Sequence, residues 1–460
     1  MGTNFGSSMS RQRGLVALVS VLALPFLIAF IGLAIDSARA FIVKSKLYSA
    51  VDAASIAAAR AVANGEDAAT QAANKFFSAN IPSGFFGSSA AISGVNYAYD
   101  SYGNISITIS ADASVPTLFL SLIGFDSFSP QVQAQAIRRP VDLVLVIDNT
   151  TSLKLGSIGD VTQDVIDRSK DFIENFHEGF DRISLVKFAF GAEVPVSFTS
   201  GRGHSRSAIT SAINAFNFGS SYNAQYTNAS EGMYLALNQI RNVVNPANLK
   251  VIVFFTDGAP NTIASRFSFS GSNNYVGSIR TGDTSSGTPR GLWRHDLIST
   301  THSSGYYGSN VDDYLLAIPD YYTAHNASDQ EFKILNPNHT VRPVSQYYRY
   351  SHSASDLYRR INRASRNLTE DIAAKAREEN IYVFTLGLGS ALVEASGPDN
   401  EYGEDLLLRM ANSPALLDNP SLSSDFKPDE LQGVYCHAVD EEALGPCFDE
   451  MLDVIIRLTM

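Results

Sequence analysis

Five side chains in this sequence could share one chemistry. Asp148-Asn149-Thr150-Thr151-Ser152 sets a carboxylate and two hydroxyls at every second position. Thr227, in Gln225-Tyr226-Thr227-Asn228, adds a hydroxyl, and Asp257, in Phe254-Phe255-Thr256-Asp257-Gly258, a second carboxylate. All five donors are oxygens. Such a set suits a hard divalent cation that keeps some of its waters, Mg²⁺ first, with Mn²⁺ and Ca²⁺ as alternatives. Asp148 and Asp257 balance the two charges, while Thr150, Ser152 and Thr227 add none. A cation held so lightly still attracts a carboxylate from another protein. An aspartate that closes a strand is, by itself, more often a turn or helix-cap residue. The chemistry therefore depends on whether the fold gathers the three segments.

The surrounding pattern is one that would gather them. Val141–Ile147 is a nearly continuous apolar run, as in a parallel strand buried on both faces. Similar runs follow at Ile183–Phe190, Val251–Phe255 and Ile381–Leu386, with a shorter one at Val434–Ala438. Helical patterns at Val161–Phe176, Ser230–Val244, Ser355–Glu379 and Glu441–Leu458 separate them. Alternation of this kind predicts an α/β fold, a doubly wound parallel sheet with helices on both faces. Ligands of such sheets bind beyond the carboxyl ends of the strands, which is where Asp148 and Asp257 would stand.

The N-terminal third reads differently. Gly14–Ile35 is an uncharged run of 22 residues, about 33 Å as a helix against a hydrocarbon core of about 30 Å. Arg11 and Arg13 precede it and Asp36 follows, which predicts a cytoplasmic N-terminus and export of the rest. Ala38-Arg39-Ala40 has the form of a signal-peptide cleavage site, but the run is long for a signal sequence, so a retained single-pass anchor is expected. The helical pattern then continues to about Phe77, with Leu47, Val51, Ala54, Ala58 and Ala61 on one face. Period-two alternation at Asn104–Ile109 and Gln131–Ile137 predicts strands within 94–137.

Composition narrows the function. A net charge of −12 argues against nucleic acid as a partner. There is no G-x-S-x-G, H-E-x-x-H, C-x-x-C or P-loop motif, and the eight histidines are scattered, so no enzyme is expected. Cys436 and Cys447 are too few for a disulfide scaffold or a four-thiolate zinc site. Export would permit a disulfide between them, and two buried thiols fit the sequence as well.

Two resemblances can be named on these residues. Arg13-Gly14, the apolar run, Ala34-Ile35-Asp36, Arg39-Ala40 and the Ala-rich Leu47–Arg60 resemble the N-terminal region of TadG-like proteins of tight-adherence (Flp) pilus assembly. Pilins of that system carry Glu five residues after the processing glycine. Val19 stands there, which fits an anchor that is not cleaved. Residues 139–460 resemble von Willebrand factor A-type domains, whose D-x-S-x-S, T-N and T-D-G elements map the metal ligands onto Asp148, Thr150, Ser152, Thr227 and Asp257. Thr150 replaces the usual first serine and keeps its hydroxyl.

The resemblances imply a cytoplasmic segment (1–13), a transmembrane helix (14–35), a pilin-like helix with strands (36–137) and an A-type domain (139–460). They imply an adhesion or assembly factor in the bacterial inner membrane with its bulk periplasmic. It would bind an acidic protein partner among pilus-assembly or envelope components through a metal-ion-dependent adhesion site. The alternative is a structural pilin-like scaffold with a metal-free A-type domain. An insertion, 259–352, is rich in Ser, Gly, Asn and Tyr, the composition of contact loops. It is expected to form a wall of the binding face, with a partly disordered decoration as the other possibility.

Overall fold

The computed structural model describes residues 10–100, 103–156, 159–219, 226–270, 273–282, 289–298 and 311–459. They form two compact units, divided between Arg138 and Arg139.

In the first unit one helix runs from Ser10 to Ala61, with Pro25 inside it. Its apolar side chains are exposed along the first half (Leu18, Val21, Phe26 and Phe30 among them), as suits a segment surrounded by lipid rather than protein. From Ala17 the helix is long and apolar enough to cross a membrane. The second half is different. Val43, Leu47, Val51, Ala54 and Ala58 are fully buried on one face, where the small side chains admit close packing. The periodicity reads as one helix to Phe77, but the chain breaks at Gly65. That residue takes φ +101°, open to glycine and costly for other residues, and a second helix starts at Glu66 and ends at Asn80. Strand Ile105–Pro116 lies between Ser89–Tyr99 and Gln131–Arg138, antiparallel to both, and buries Ile105, Ile107, Ile109, Ala111, Ala113 and Val115. Asp36 does more than end the apolar run: its buried carboxylate accepts backbone N–H groups of Leu118, Phe119 and Leu120 at 2.9, 3.0 and 2.9 Å.

The second unit is built on a six-stranded sheet. From one edge the order is Tyr435–Ala438, Tyr382–Leu388, Leu249–Thr256, Val141–Asp148, Arg182–Phe188 and Ala192–Val196. The first five are parallel, and the last runs antiparallel to Arg182–Phe188. Alternate residues of Val141–Asp148 feed two cores. Val144 and Val146 join helices Ala229–Arg241 and Ala354–Glu378 on one face. Leu143, Leu145 and Ile147 join Thr162–Ile173 and Glu441–Thr459 on the other. Burial on both faces is why the central strand sequences are mostly apolar.

The insertion is not a loop. It contains a four-stranded antiparallel sheet in the order Arg290–Trp293, Asn273–Arg280, Thr262–Phe269, Leu315–Ala317. Ile263, Phe267, Ile279, Leu292 and Leu315 belong to the same core as helix Ala229–Arg241. Tyr322 and Tyr347 are buried, whereas Tyr314, Tyr348 and Tyr350 stay exposed, so only part of the tyrosine set is available for contact. Tyr306 and Tyr307 lie outside the described residues.

Cys436 and Cys447 form a disulfide, Cα atoms 5.6 Å apart, tying the edge strand to the helix that follows it. Closing a loop of this length removes chain entropy from the unfolded state, about 2–3 kcal/mol. Cys447→Ser should lower the unfolding free energy, read from chemical denaturation, by that amount in protein purified under oxidising conditions. No difference from wild type would mean that the bridge contributes nothing.

Candidate metal centre

Asp148 is the last residue of the central strand, and Asp257 directly follows its parallel neighbour. The chain leaves the central strand towards one edge of the sheet and later returns to fill the other side. The crevice between these two strands is therefore the topological switch point, where open α/β sheets bind ligands.

Asp148 is fully buried, and Asp257 is 9% exposed. Thr150 N–H donates to Asp148 Oδ1 at 2.8 Å, and the Thr256 hydroxyl donates to Asp148 Oδ2 at 2.6 Å. The Ser152 hydroxyl donates to Asp257 Oδ1 at 2.8 Å, and Thr150 Oγ1 lies 2.7 Å from Ser152 Oγ. Four of the five residues expected from the sequence are thus linked by hydrogen bonds. Thr227 lines the same cleft, and a Cβ on Gly258 would stand 3.5 Å from its hydroxyl. Its backbone is clasped by Asn261: Thr227 N–H donates to Asn261 Oδ1 at 2.9 Å, and Asn261 N–H donates to Thr227 O at 3.1 Å. Asn261 O in turn accepts the N–H and hydroxyl of Thr281 at 2.8 and 3.0 Å. Asn228, the next residue, caps helix Ala229–Arg241 by accepting Glu231 N–H.

The electrostatics suit a cation. The hydrogen-bond partners of both carboxylates are hydroxyls and backbone N–H groups. Burial raises the pKa of each above the ordinary 3.8, and for Asp257 the charge of Asp148 raises it further. Two buried carboxylates that oppose each other's ionisation, ringed by hydroxyls, match the donor chemistry of Mg²⁺. Asp148, Thr150, Ser152, Thr227 and Asp257 would hold it.

Sequence reasoning missed three parts of this site. Thr256 stands in the T-D-G motif, and its hydroxyl is what fixes Asp148. Asn261 carries no sequence signal beyond its place after the strand. The cleft, about 680 Å³, has Leu388, Gly389, Ser390 and Glu394 on its wall, from the end of strand Tyr382–Leu388 and the segment after it. Of the insertion's described residues only Ala259 and Asn261 line it, so the expectation of an insertion-built wall is met at the insertion's root alone.

Comparison with known proteins gives two family matches. Residues 14–61 match the family described as Flp pilus-assembly TadE/G-like. Residues 143–259 match the von Willebrand factor type A domain. No curated protein matches the chain. Among solved structures, it resembles proximal thread matrix protein 1 from the mussel byssus (12% identity, TM-score 0.33, 69% of this chain and 46% of that one), so it spans about half of that protein's length. It also resembles the vWF domain of the type V pili tip protein Mfa5 from Porphyromonas gingivalis (15%, TM-score 0.37, 71% and 98%). A third is the pilus adhesin SpaC from Lactobacillus rhamnosus GG (14%, TM-score 0.39, 80% and 35%). The chain thus joins a TadE/G-like segment with an apolar helix to a von Willebrand factor type A domain on a mixed α/β fold.

Proposed function

We propose that this protein is a membrane-anchored adhesion or assembly factor of a tight-adherence (Flp) pilus system. Its A-type domain holds a divalent cation, Mg²⁺ first, through Asp148, Thr150, Ser152, Thr227 and Asp257, and completes the coordination with an acidic residue of a protein partner. The observation that carries this reading is the pair of buried carboxylates meeting hydroxyls at the sheet's switch point. The cleft beside them gives an incoming side chain room to reach the ion. The TadE/G-like match supports the pilus setting. The exposed apolar helix supports a single pass through the inner membrane, with residues from about 36 onward in the periplasm. The Cys436–Cys447 bridge supports an oxidising compartment.

A metal-free scaffold is the second reading, favoured by one observation: the Thr150, Ser152 and Asp257 side chains already satisfy one another without an ion. Crosslinking in cells separates the two. Under the adhesion reading, Asp257→Asn loses crosslinks to pilus or envelope partners and impairs assembly, whereas a scaffold keeps both. Topology is tested in spheroplasts, where added protease should remove the A-type domain and leave a short anchored fragment. Full protection, with a soluble cytosolic pool, would overturn the anchor.

A further inference from the structure

We infer that Glu231, His295 and His325 form a second metal centre, built for a borderline transition cation with Zn²⁺ as the chemical fit, that clips the insertion to helix Ala229–Arg241. One oxygen of Glu231 and one ring nitrogen from each histidine all lie within 4.8 Å of one another. A tetrahedral ion with bonds of about 2.0–2.1 Å needs its ligands ~3.3 Å apart, so small side-chain adjustments suffice. Two imidazoles and one carboxylate form a three-ligand set that leaves a fourth position for water. His325 is 28% exposed at its side chain, which gives the ion and that water a way in. None of the three residues lines the cleft beside Asp257.

The ligands are held in place by their surroundings. Glu231 is fully buried, and its Oε2 accepts the Tyr322 hydroxyl at 2.5 Å, which leaves Oε1 facing His325 Nε2, also at 2.5 Å. Tyr322 is thus a positioning residue of the kind that orients metal-binding carboxylates. His325 stacks on Tyr234 with ring centres 4.7 Å apart. The His295 backbone is pinned by the Ala192 N–H at 2.9 Å, beside Gly191, where a Cβ would come 2.2 Å from His295 O. Its ring meets His325 edge-on at 4.9 Å and makes no hydrogen bond among the described residues. A second imidazole brought to a buried carboxylate that already has a phenol and an imidazole is surplus to a hydrogen-bonded pair. A cation uses it. Because Tyr322 and His325 satisfy Glu231 without an ion, the protein folds metal-free and gains rigidity when Zn²⁺ arrives.

The full-length protein in detergent, stripped by a chelator, tests this with Zn²⁺ and Co²⁺ as probes. One Zn²⁺ should bind per chain in the presence of excess Mg²⁺ and raise Tm. Co²⁺ should give the visible absorption of tetrahedral coordination and quench Trp293. That residue is the single tryptophan, two positions from His295 and stacked on Phe190. His295→Ala and His325→Gln should each weaken Zn²⁺ binding at least tenfold, and the double variant should lose the Co²⁺ spectrum, while Asp257→Asn keeps it. Metal-free melting curves and circular dichroism confirm that each variant is folded, and His325→Gln, at a partly exposed position, is the variant kept if His295→Ala is not. Three results would overturn the inference: wild type that binds no Zn²⁺, unchanged binding in folded His325→Gln, or loss of Zn²⁺ in Asp257→Asn, which would put the ion in the cleft.

Discussion

Asp257→Asn should abolish Mg²⁺ binding while making the metal-free protein more stable. The substitution keeps the shape and the acceptor for the Ser152 hydroxyl but removes one of two charges that are buried side by side. Loss of a charged ligand should exceed the 10–100-fold typical of altered outer-shell partners. Gain of metal-free stability follows from linkage. Burial, joined at Asp257 by the charge of Asp148, raises the folded-state pKa above the ordinary 3.8, so the folded state binds more protons than the unfolded one just above that value. Stability without metal therefore falls as pH rises from 3.8 towards neutrality, and the penalty is complete above the folded pKa. A bound Mg²⁺ would offset that penalty. The Tm increase it brings should accordingly be small in mild acid, where protons compete, and larger at slightly alkaline pH. Calorimetric titration and melting curves across pH check both parts. Equal Mg²⁺ affinity in wild type and Asp257→Asn would remove the site from consideration.

Arg342→Ala should be the most destabilising single change in the A-type unit outside its apolar cores, about 3–5 kcal/mol. The Arg342 side chain is fully buried. It donates to Glu401 at 2.9 and 3.2 Å, to Glu370 at 2.7 and 3.1 Å and to Asn367 at 2.7 Å. Arg366 and Arg409 complete the network around the same two carboxylates. Truncating Arg342 leaves Glu370 and Glu401 short of hydrogen-bond donors away from water, which costs more than the pairing itself contributes. Burial acts to raise the Glu401 pKa, but Arg342, Arg409 and Arg366 outweigh it and hold the group at about 2, below its ordinary 4.5. Its contribution is thus present above 4.5 and lost as pH falls from there towards 2. Chemical denaturation at neutral pH should show the full deficit, and the variant's stability should depend less on pH through that acid window. A loss below 1 kcal/mol at neutral pH would mean that the remaining arginines suffice.

How far the sequence could be read depended on where each signal lay. The central parallel strands were legible because burial on both faces writes itself as nearly continuous apolar runs, and Asp148 and Asp257 were legible because each ends such a run. The break at Gly65 was hidden because the apolar period resumes directly after it. The insertion as a whole reads as a contact loop because Ser, Gly, Asn and Tyr are frequent between its short strands, whose apolar residues, such as Ile263 and Phe267, join the core. Glu231, His295 and His325 had no sequence signal at all. Glu231 and His325 are 94 positions apart, and each histidine taken singly reads as an ordinary one. Arg342 was equally silent, because its partners lie 28 and 59 positions away. Local periodicity reports which side of an element is buried, and these clusters depend on which distant elements come to meet.

Asn261 carries a thermodynamic consequence. It clasps the backbone of Thr227 by two hydrogen bonds and is the residue from which strand Thr262–Phe269 departs. A displacement of the insertion's first strand would therefore reach Thr227, which lines the cleft, and the reverse holds. Two binding events that bias one shared hinge are reciprocal, so the factor by which one changes the affinity of the other is the same in both directions. Whatever grips the insertion sheet would then also set how tightly a bound ion is held. Asn261→Ala, which removes the bond from the Thr227 N–H and keeps the one between the two backbones, should weaken the factor that joins the two events.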